Sequence, residues 1–231
     1  MKLVFTPEWF MGKDVMIEIF SFVVLTAFFI LCQRYYKLSE NKKMKYLGWG
    51  FLFIAVAQLS MILTKLVLYY DTFFTQEVGN MIITYNVVKS VDVFYELGFF
   101  CHKILTLAGL YIIYRLPMKK TSIRDYILGA YFLIISAVAS LDMYFLYHIT
   151  AIVLFVMIID NYYEIYKKNK SENTRMLITA FGVIGFAHLI FALSRIGGMF
   201  EVTANLIELT GYLILLVLVL KILYYGRKKE K

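Results

Sequence analysis

Seven long apolar runs constrain this chain more than any other feature of its sequence. Each holds about 18 or more predominantly apolar residues, the length that a helix needs to cross roughly 30 Å of hydrocarbon. In lipid, only helices and closed barrels satisfy all their backbone polar groups, and these runs lack the alternation of barrel strands. We therefore predict an all-α integral membrane protein, a seven-transmembrane-helix bundle with spans at Val15–Gln33, Tyr46–Leu68, Tyr95–Tyr114, Asp125–Leu141, Met143–Tyr163, Met176–Arg195 and Thr203–Leu223.

The overall composition agrees with this prediction. Hydrophobic residues make up 61% of the 231 residues, charged residues only 17%, and the mean hydropathy is +0.71. A chain with so few charges could not cover its own apolar surface in water, so a soluble enzyme, a disordered tail and a DNA-binding module are disfavoured. The lipid bilayer is the expected partner. With these spans the two cysteines, Cys32 and Cys101, lie near opposite faces of the bilayer, and no disulfide framework is expected.

Basic residues are distributed unevenly among the connections, which predicts the orientation in the cell membrane. The first, third and fifth connections and the C-terminal tail hold 18 of the 24 lysines and arginines. By the positive-inside rule, the basic tail at 224–231 is cytoplasmic and, with seven crossings, the N-terminus is outside. The net charge of +8 is therefore a topology signal. It predicts contact with anionic lipids on the cytoplasmic side and no binding of nucleic acid.

The chain also matches itself. At an offset of 130 residues the first two helices fall on the fifth and sixth, with Phe51 on Phe181 and Gln58 on His188. At an offset of 102 the third helix falls on the seventh, and Gly109 meets Gly211. We therefore predict a single transmembrane domain (1–231), in which two parallel three-helix repeats, at 15–115 and 143–223, are joined by a linking helix at 125–141. The first repeat then carries a longer outer loop at 70–94.

This layout of three, one and three helices, with the N-terminus outside, resembles that of microbial rhodopsins and of the sugar-transporting seven-helix families. Two segments, 186–194 and 206–213, are also similar to uncharacterised prokaryotic seven-helix proteins and to membrane sensor regions. A rhodopsin needs a lysine midway along its last helix, whereas Lys221 lies at the inner end, so retinal is not expected. The sugar transporters carry hinge prolines within their spans, but Pro7 and Pro117 lie outside the spans here.

Polar residues inside the predicted spans are the candidate functional residues, because ionisable groups are costly in lipid unless they are paired or hydrated. The chain has three histidines, on helices three, five and six, and all lie in the outer half of their spans. Several other polar side chains fall at a similar depth, Lys65 and Lys103 among them. Together they predict one ligand-binding layer, formed by Glu18, Gln58, His102, His148, His188 and Glu208.

This layer is open to several functional interpretations. In the first, the residues line an outward-opening polar pocket that binds a small ligand or ion, and the protein is a sensor or transporter. In the second, His102, His148 and His188 bind a metal, either zinc or haem iron, and the protein is a zinc-dependent lipid hydrolase or a haem electron carrier. No HxxxH or HExxH spacing supports that interpretation, and each histidine could instead hydrogen-bond a neighbouring helix. In the third, the protein is a subunit that recognises a membrane-protein partner or another copy of itself.

Overall fold

The computed structural model describes residues 6–78, 81–117 and 123–229. Within these ranges it describes the backbone alone at 8, 68, 70–78, 81–95, 124–126, 142 and 225–229. Within these ranges the chain is all-helical. A short 3-10 helix at Glu8–Phe10 precedes seven α-helices. Their bounds are α1 (Lys13–Ser39), α2 (Lys42–Val78), α3 (Met81–Arg115), α4 (Ile123–Asp142), α5 (Tyr144–Asn169), α6 (Glu172–Phe191) and α7 (Gly198–Lys229).

Six of these helices are long and apolar enough to cross a membrane by length and composition. They are all except α4, whose apolar part among the described side chains, Ile127–Leu141, is shorter. Large apolar side chains remain exposed on the outer faces of the helices, including Val23, Leu63 and Val156, at 57%, 56% and 60% exposure. Lipid tails solvate such surfaces, whereas water does not. The helices are therefore compatible with a multi-pass membrane protein, as the sequence predicted.

The prediction of an outer loop at 70–94 is wrong. The chain is helical over 70–78 and again over 81–94, so α2 and α3 both extend beyond the predicted spans. A helix satisfies its own backbone hydrogen bonds, and it can therefore continue past an apolar span when no proline interrupts it. The predicted tail at 224–231 likewise begins inside α7, and its side chains from 225 onward lie outside the described residues.

Six helices form a closed ring. Helix α2 packs against α1 and α3, and α3 packs against α5. Helix α6 packs against α5 and α7, and α7 packs against α1, which closes the ring. Helix α4 packs outside this ring, against α3 and α5. In the middle of the ring, Phe51 of α2 stacks on Phe28 and faces Phe181 of α6, with ring centroids 4.7 Å and 6.3 Å apart. Phe155 of α5 packs against Phe181 at 6.1 Å. These rings form an apolar layer that closes the interior.

Two interhelical turns have the same geometry. Helices α1 and α5 end at Glu40 and Lys170, which adopt left-handed backbone angles with φ of 54° and 48°. Their backbone N–H groups donate to the carbonyls of Tyr36 and Tyr166, each over 2.8 Å. Left-handed angles are uncommon outside glycine, and here they end a helix with a satisfied backbone bond. In both cases the next helix begins two residues after the cap.

Glycines bring two pairs of helices into close contact. A Cβ added at Gly109 of α3 would lie 2.6 Å from Ile54 Cγ1 and 2.7 Å from the Gly50 carbonyl oxygen of α2. A Cβ at Gly211 of α7 would overlap Ile184 of α6. Small residues let backbones approach within a bilayer, where dispersion contacts replace the hydrophobic effect between helices.

Replacing Gly109 by alanine should therefore loosen the contact between α3 and α2. Overpacking a tight contact costs about 1–3 kcal/mol, so we expect G109A to lower the thermal unfolding midpoint of the detergent-solubilised protein, and G211A to do the same. G182A is the matched control, because a Cβ at Gly182 would lie 3.9 Å from its nearest neighbour, Ile159 Cδ1. Equal midpoints for G109A and G182A would contradict this packing.

Candidate functional site

A cavity of about 100 Å³ lies inside the ring, lined by residues from all six of its helices. This volume accommodates several water molecules or one small organic molecule, since a single water needs roughly 10–15 Å³. Six of its lining residues are those that the sequence singled out: Glu18, Gln58, His102, His148, His188 and Glu208. The helices therefore bring the predicted layer together, and its role in binding a ligand stays a prediction.

The cavity is polar at one end and apolar at the other. Its polar end lies near the N-terminal ends of α1, α5 and α7, where Glu18, Tyr144 and Glu201 line it. Thr6, which precedes the 3-10 helix, donates a hydrogen bond of 2.6 Å to Glu201 Oε1 and so holds the N-terminal segment at this end. The opposite end is closed by the apolar layer, with Leu25, Phe51, Leu110, Phe155, Phe181 and Leu215 as its floor.

A charged cluster joins α1 to α2 beside the polar end. Lys65 Nζ lies 2.7 Å from Asp14 Oδ2 and 2.5 Å from Glu18 Oε1. The Tyr69 hydroxyl donates to the same Asp14 oxygen over 2.7 Å. All three charged side chains are less than one-tenth exposed. One ammonium therefore bridges two carboxylates, while Glu18 Oε2 has no hydrogen-bond partner. The sequence analysis did not select Asp14, although Asp14 lies four residues before Glu18 and so shares a helix face with it.

His148 and His188 form a direct imidazole pair. Their Nδ1 atoms lie 3.0 Å apart, and both side chains are buried. One ring must donate its Nδ1–H to the other, which sets opposite tautomers on the two residues. One Nε2 then carries a proton and the other a lone pair. Because His148 Nε2 has no hydrogen-bond partner and both rings line the cavity, the pair offers hydrogen-bonding capacity to a bound molecule.

His102 takes a different role. Its Nδ1 lies 3.1 Å from the Ala57 carbonyl oxygen and donates to it. Its Nε2 is then the acceptor, 3.4 Å from the Tyr147 hydroxyl. Both nitrogens are thus engaged with protein groups, which fixes the tautomer. Tyr147 separates this ring from the imidazole pair, with its own ring centroid 4.9 Å from that of His148.

The predicted metal site finds no support in this geometry. Among the described residues, no group of three or more histidine, cysteine, aspartate or glutamate side chains could hold a metal ion. His148 and His188 hydrogen-bond each other through their Nδ1 atoms, and both nitrogens of His102 contact other protein groups. The physical reason is that three histidines at one depth can serve helix contacts as well as a shared ion.

A hydrogen-bonded chain connects the remaining two predicted residues. Gln58 Nε2 of α2 donates to the Tyr212 hydroxyl of α7 over 3.3 Å, and that hydroxyl donates to Glu208 Oε1 over 3.2 Å. The sequence analysis missed both Tyr147 and Tyr212, which carry no motif. The only signal for Tyr212 is its position four residues after Glu208, which places both side chains on one face of the helix.

Comparisons with protein-family models, with curated proteins and with solved structures find no match to this chain. The fold is compatible with an all-α multi-pass membrane protein, and its helix ring encloses a cavity that is polar at one end.

Lys65 should be essential for stability, because it is the positive partner of two buried carboxylates. Breaking a buried ion pair costs about 3–5 kcal/mol, so K65M should lower the thermal unfolding midpoint of the purified protein. The triple variant D14N/E18Q/K65M should recover part of that loss, because no charge is left unpaired. The control is K167M, which removes an exposed lysine 2.9 Å from Glu164 and should leave the midpoint unchanged. A wild-type midpoint for K65M would refute the role of the cluster.

Proposed function

We propose that this protein is a seven-helix sensor or transporter of the cell membrane that binds a small molecule or ion in its outward-opening cavity. The observation that carries the proposal is that all six predicted polar residues line one cavity inside a ring of apolar helices. Ionisable side chains are expensive in a membrane interior and are retained where they meet a ligand, an ion or water. The apolar floor of Phe51, Phe155 and Phe181 separates this cavity from the opposite face.

We also propose that the chain is a single domain built from two parallel three-helix repeats, α1–α3 and α5–α7, joined by α4. The left-handed caps at Glu40 and Lys170 support this, since they lie 130 residues apart, at the offset of the sequence match. The glycine contacts support it as well. Gly109 packs on Ile54, and Gly211 packs on Ile184. The offset of 102 relates the two glycines, and the offset of 130 relates the two isoleucines.

The ring itself has the arrangement that such repeats would produce. Neighbouring helices of the two halves pack as α3 with α5 and as α7 with α1, which are equivalent pairs under exchange of the repeats. Substrate sites in many transporters lie at repeat interfaces, where small movements of one half against the other open or close a cavity. A cavity lined from both halves fits a transporter that rocks, and it equally fits a sensor that changes shape.

Helix α4 is proposed as the seventh crossing. Its described surface is apolar nearly all round, with Ile127, Tyr131, Phe132, Ile135 and Val138 each at least 44% exposed, and such a helix is solvated better by lipid than by water. Met143 alone separates α4 from α5. An odd number of crossings puts the N-terminus outside and the basic ends of α1 and α5 at the cytoplasmic face. The polar end of the cavity then faces outward, and anionic lipids meet the basic face.

Topology can be tested by thiol labelling in a chain without its two native cysteines, Cys32 and Cys101. A membrane-impermeant maleimide added to intact cells should label a cysteine at Met11, which is 41% exposed, and miss one at Lys168. Permeabilised cells should label both. The reverse pattern in intact cells would overturn the orientation, and labelling of both would overturn the odd number of crossings.

Opening of the cavity can be tested in the same cysteine-free background. Met61 lines the cavity, whereas Leu63, two residues later on α2, is 56% exposed on the outer face of the ring. A cationic methanethiosulfonate reagent added outside should modify M61C, because water reaches the cavity, and spare L63C, because thiols in lipid stay protonated. Absence of M61C modification from outside would contradict an outward-opening pocket.

A further inference from the structure

The charged groups around the cavity do not balance. Three carboxylates line it, those of Glu18, Glu201 and Glu208, against the two ammonium groups of Lys65 and Lys103. Asp14 adds a fourth carboxylate directly behind Lys65. The nearby guanidinium of Arg195, which lies 6.0 Å from the Tyr144 ring, adds one positive charge. Taken in their ordinary ionised forms, these groups still leave the described part of the site with an excess of one negative charge.

The two ammonium groups do not neutralise all the carboxylates on the α1–α7 side of the cavity. Lys65 Nζ is held between Asp14 and Glu18. Lys103 Nζ donates over 2.8 Å to the Ser140 carbonyl near the end of α4, outside the ring. Glu18 and Glu208 belong to α1 and α7, which are neighbours in the ring. The negative excess is therefore concentrated on the α1–α7 side of the cavity.

Among the buried atoms of cavity-lining residues, Glu18 Oε2 and His148 Nε2 have no hydrogen-bond partner, and their residues are only 7% and 4% exposed. An ionised oxygen buried without a donor is strongly unfavourable, so a bound donor would relieve it. An ammonium group brings three N–H donors and one positive charge. Its N–H groups are suitable donors for Glu18 Oε2. They are also suitable donors for His148 Nε2 in the tautomer in which that nitrogen carries a lone pair.

Aromatic rings complete the site. Tyr147 and Phe191 line the polar end, and Phe155 and Phe181 line the floor. The faces of such rings attract cations electrostatically and also pack against apolar groups. The volume of about 100 Å³ restricts the occupant to a small molecule.

From the negative excess, the unpartnered atoms and the aromatic floor, we infer that the cavity binds a small organic amine in its cationic form. Its ammonium group lies on the α1–α7 side, near Glu18 and Glu208, and its apolar part rests on the floor formed by Phe51, Phe155 and Phe181. This inference rests on the proposed function, because it names the class of ligand for the same cavity.

Three molecules of similar shape and different charge test the inference: benzylamine, benzyl alcohol and benzoate. Binding is measured by titration calorimetry on the full chain in lipid nanodiscs, and M61W, which fills the cavity, gives the signal from lipid partition alone. L63W is its matched control, with the same side chain on the outer face of α2. We expect benzylamine to bind about tenfold or more tighter than the other two, because charge-assisted hydrogen bonds are the strong ones.

Substitutions then test the assigned carboxylates. E208Q keeps the side-chain shape and removes one negative charge, so it should reduce the preference for benzylamine over benzyl alcohol at least about fivefold, since charge-assisted hydrogen bonds are roughly twice as strong as neutral ones. E18Q tests the same point from α1 if E208Q does not fold. E164Q, at an exposed glutamate on α5, should leave the preference unchanged.

The outcomes separate this inference from the proposed function. Equal or tighter binding of benzyl alcohol or benzoate, abolished by M61W, would overturn the cationic ligand and keep a ligand pocket. Absence of binding by all three molecules, with M61C still modified from outside, would also overturn it. If M61C is not modified either, the outward-opening pocket itself fails.

Discussion

The bridge from Lys65 to Asp14 and Glu18 is the interaction on which the polar half of this protein depends. Charges inside a helix bundle in lipid need partners, because isolated ions lose several kcal/mol of hydration. This cluster joins α1 to α2, aligns the depths of the two helices and keeps the carboxylate of Glu18 at the cavity wall. The imidazole pair and the hydrogen-bonded chain through Tyr212 lie at the same end of the ring.

The opposite half of the ring obeys a different constraint. There, close backbone contact at Gly109 and Gly211 and the stacked rings of Phe51 and Phe181 hold the helices together without charge. The ring is thus polar and incompletely filled at one end, and apolar and densely packed at the other. This asymmetry supports the proposal that a ligand enters the cavity from one face and does not pass beyond the apolar floor.

The residues that line the candidate site could be selected from the sequence, but the hydrogen bonds between them could not. Glu18, His148 and Glu208 stand out in the sequence because charged and imidazole groups are rare within apolar spans. Their partners were not evident, because hydrogen bonds across the ring join residues as distant as Gln58 and Tyr212. Equal depth of three histidines suggested a metal, yet side-chain direction decides whether imidazoles converge on an ion or bond to each other.

The sequence by itself determined that the chain is helical and suited to a membrane, because apolar length and the cost of unpaired backbone groups in lipid leave few alternatives. It also placed the polar residues at a common depth. Only the tertiary structure decided that 70–78 and 81–94 continue as helices, that α4 stands outside the ring, and that Asp14 and Tyr69 complete the charged cluster. These features depend on the rotation and packing of each helix against its neighbours, which many similar apolar faces in the sequence leave open.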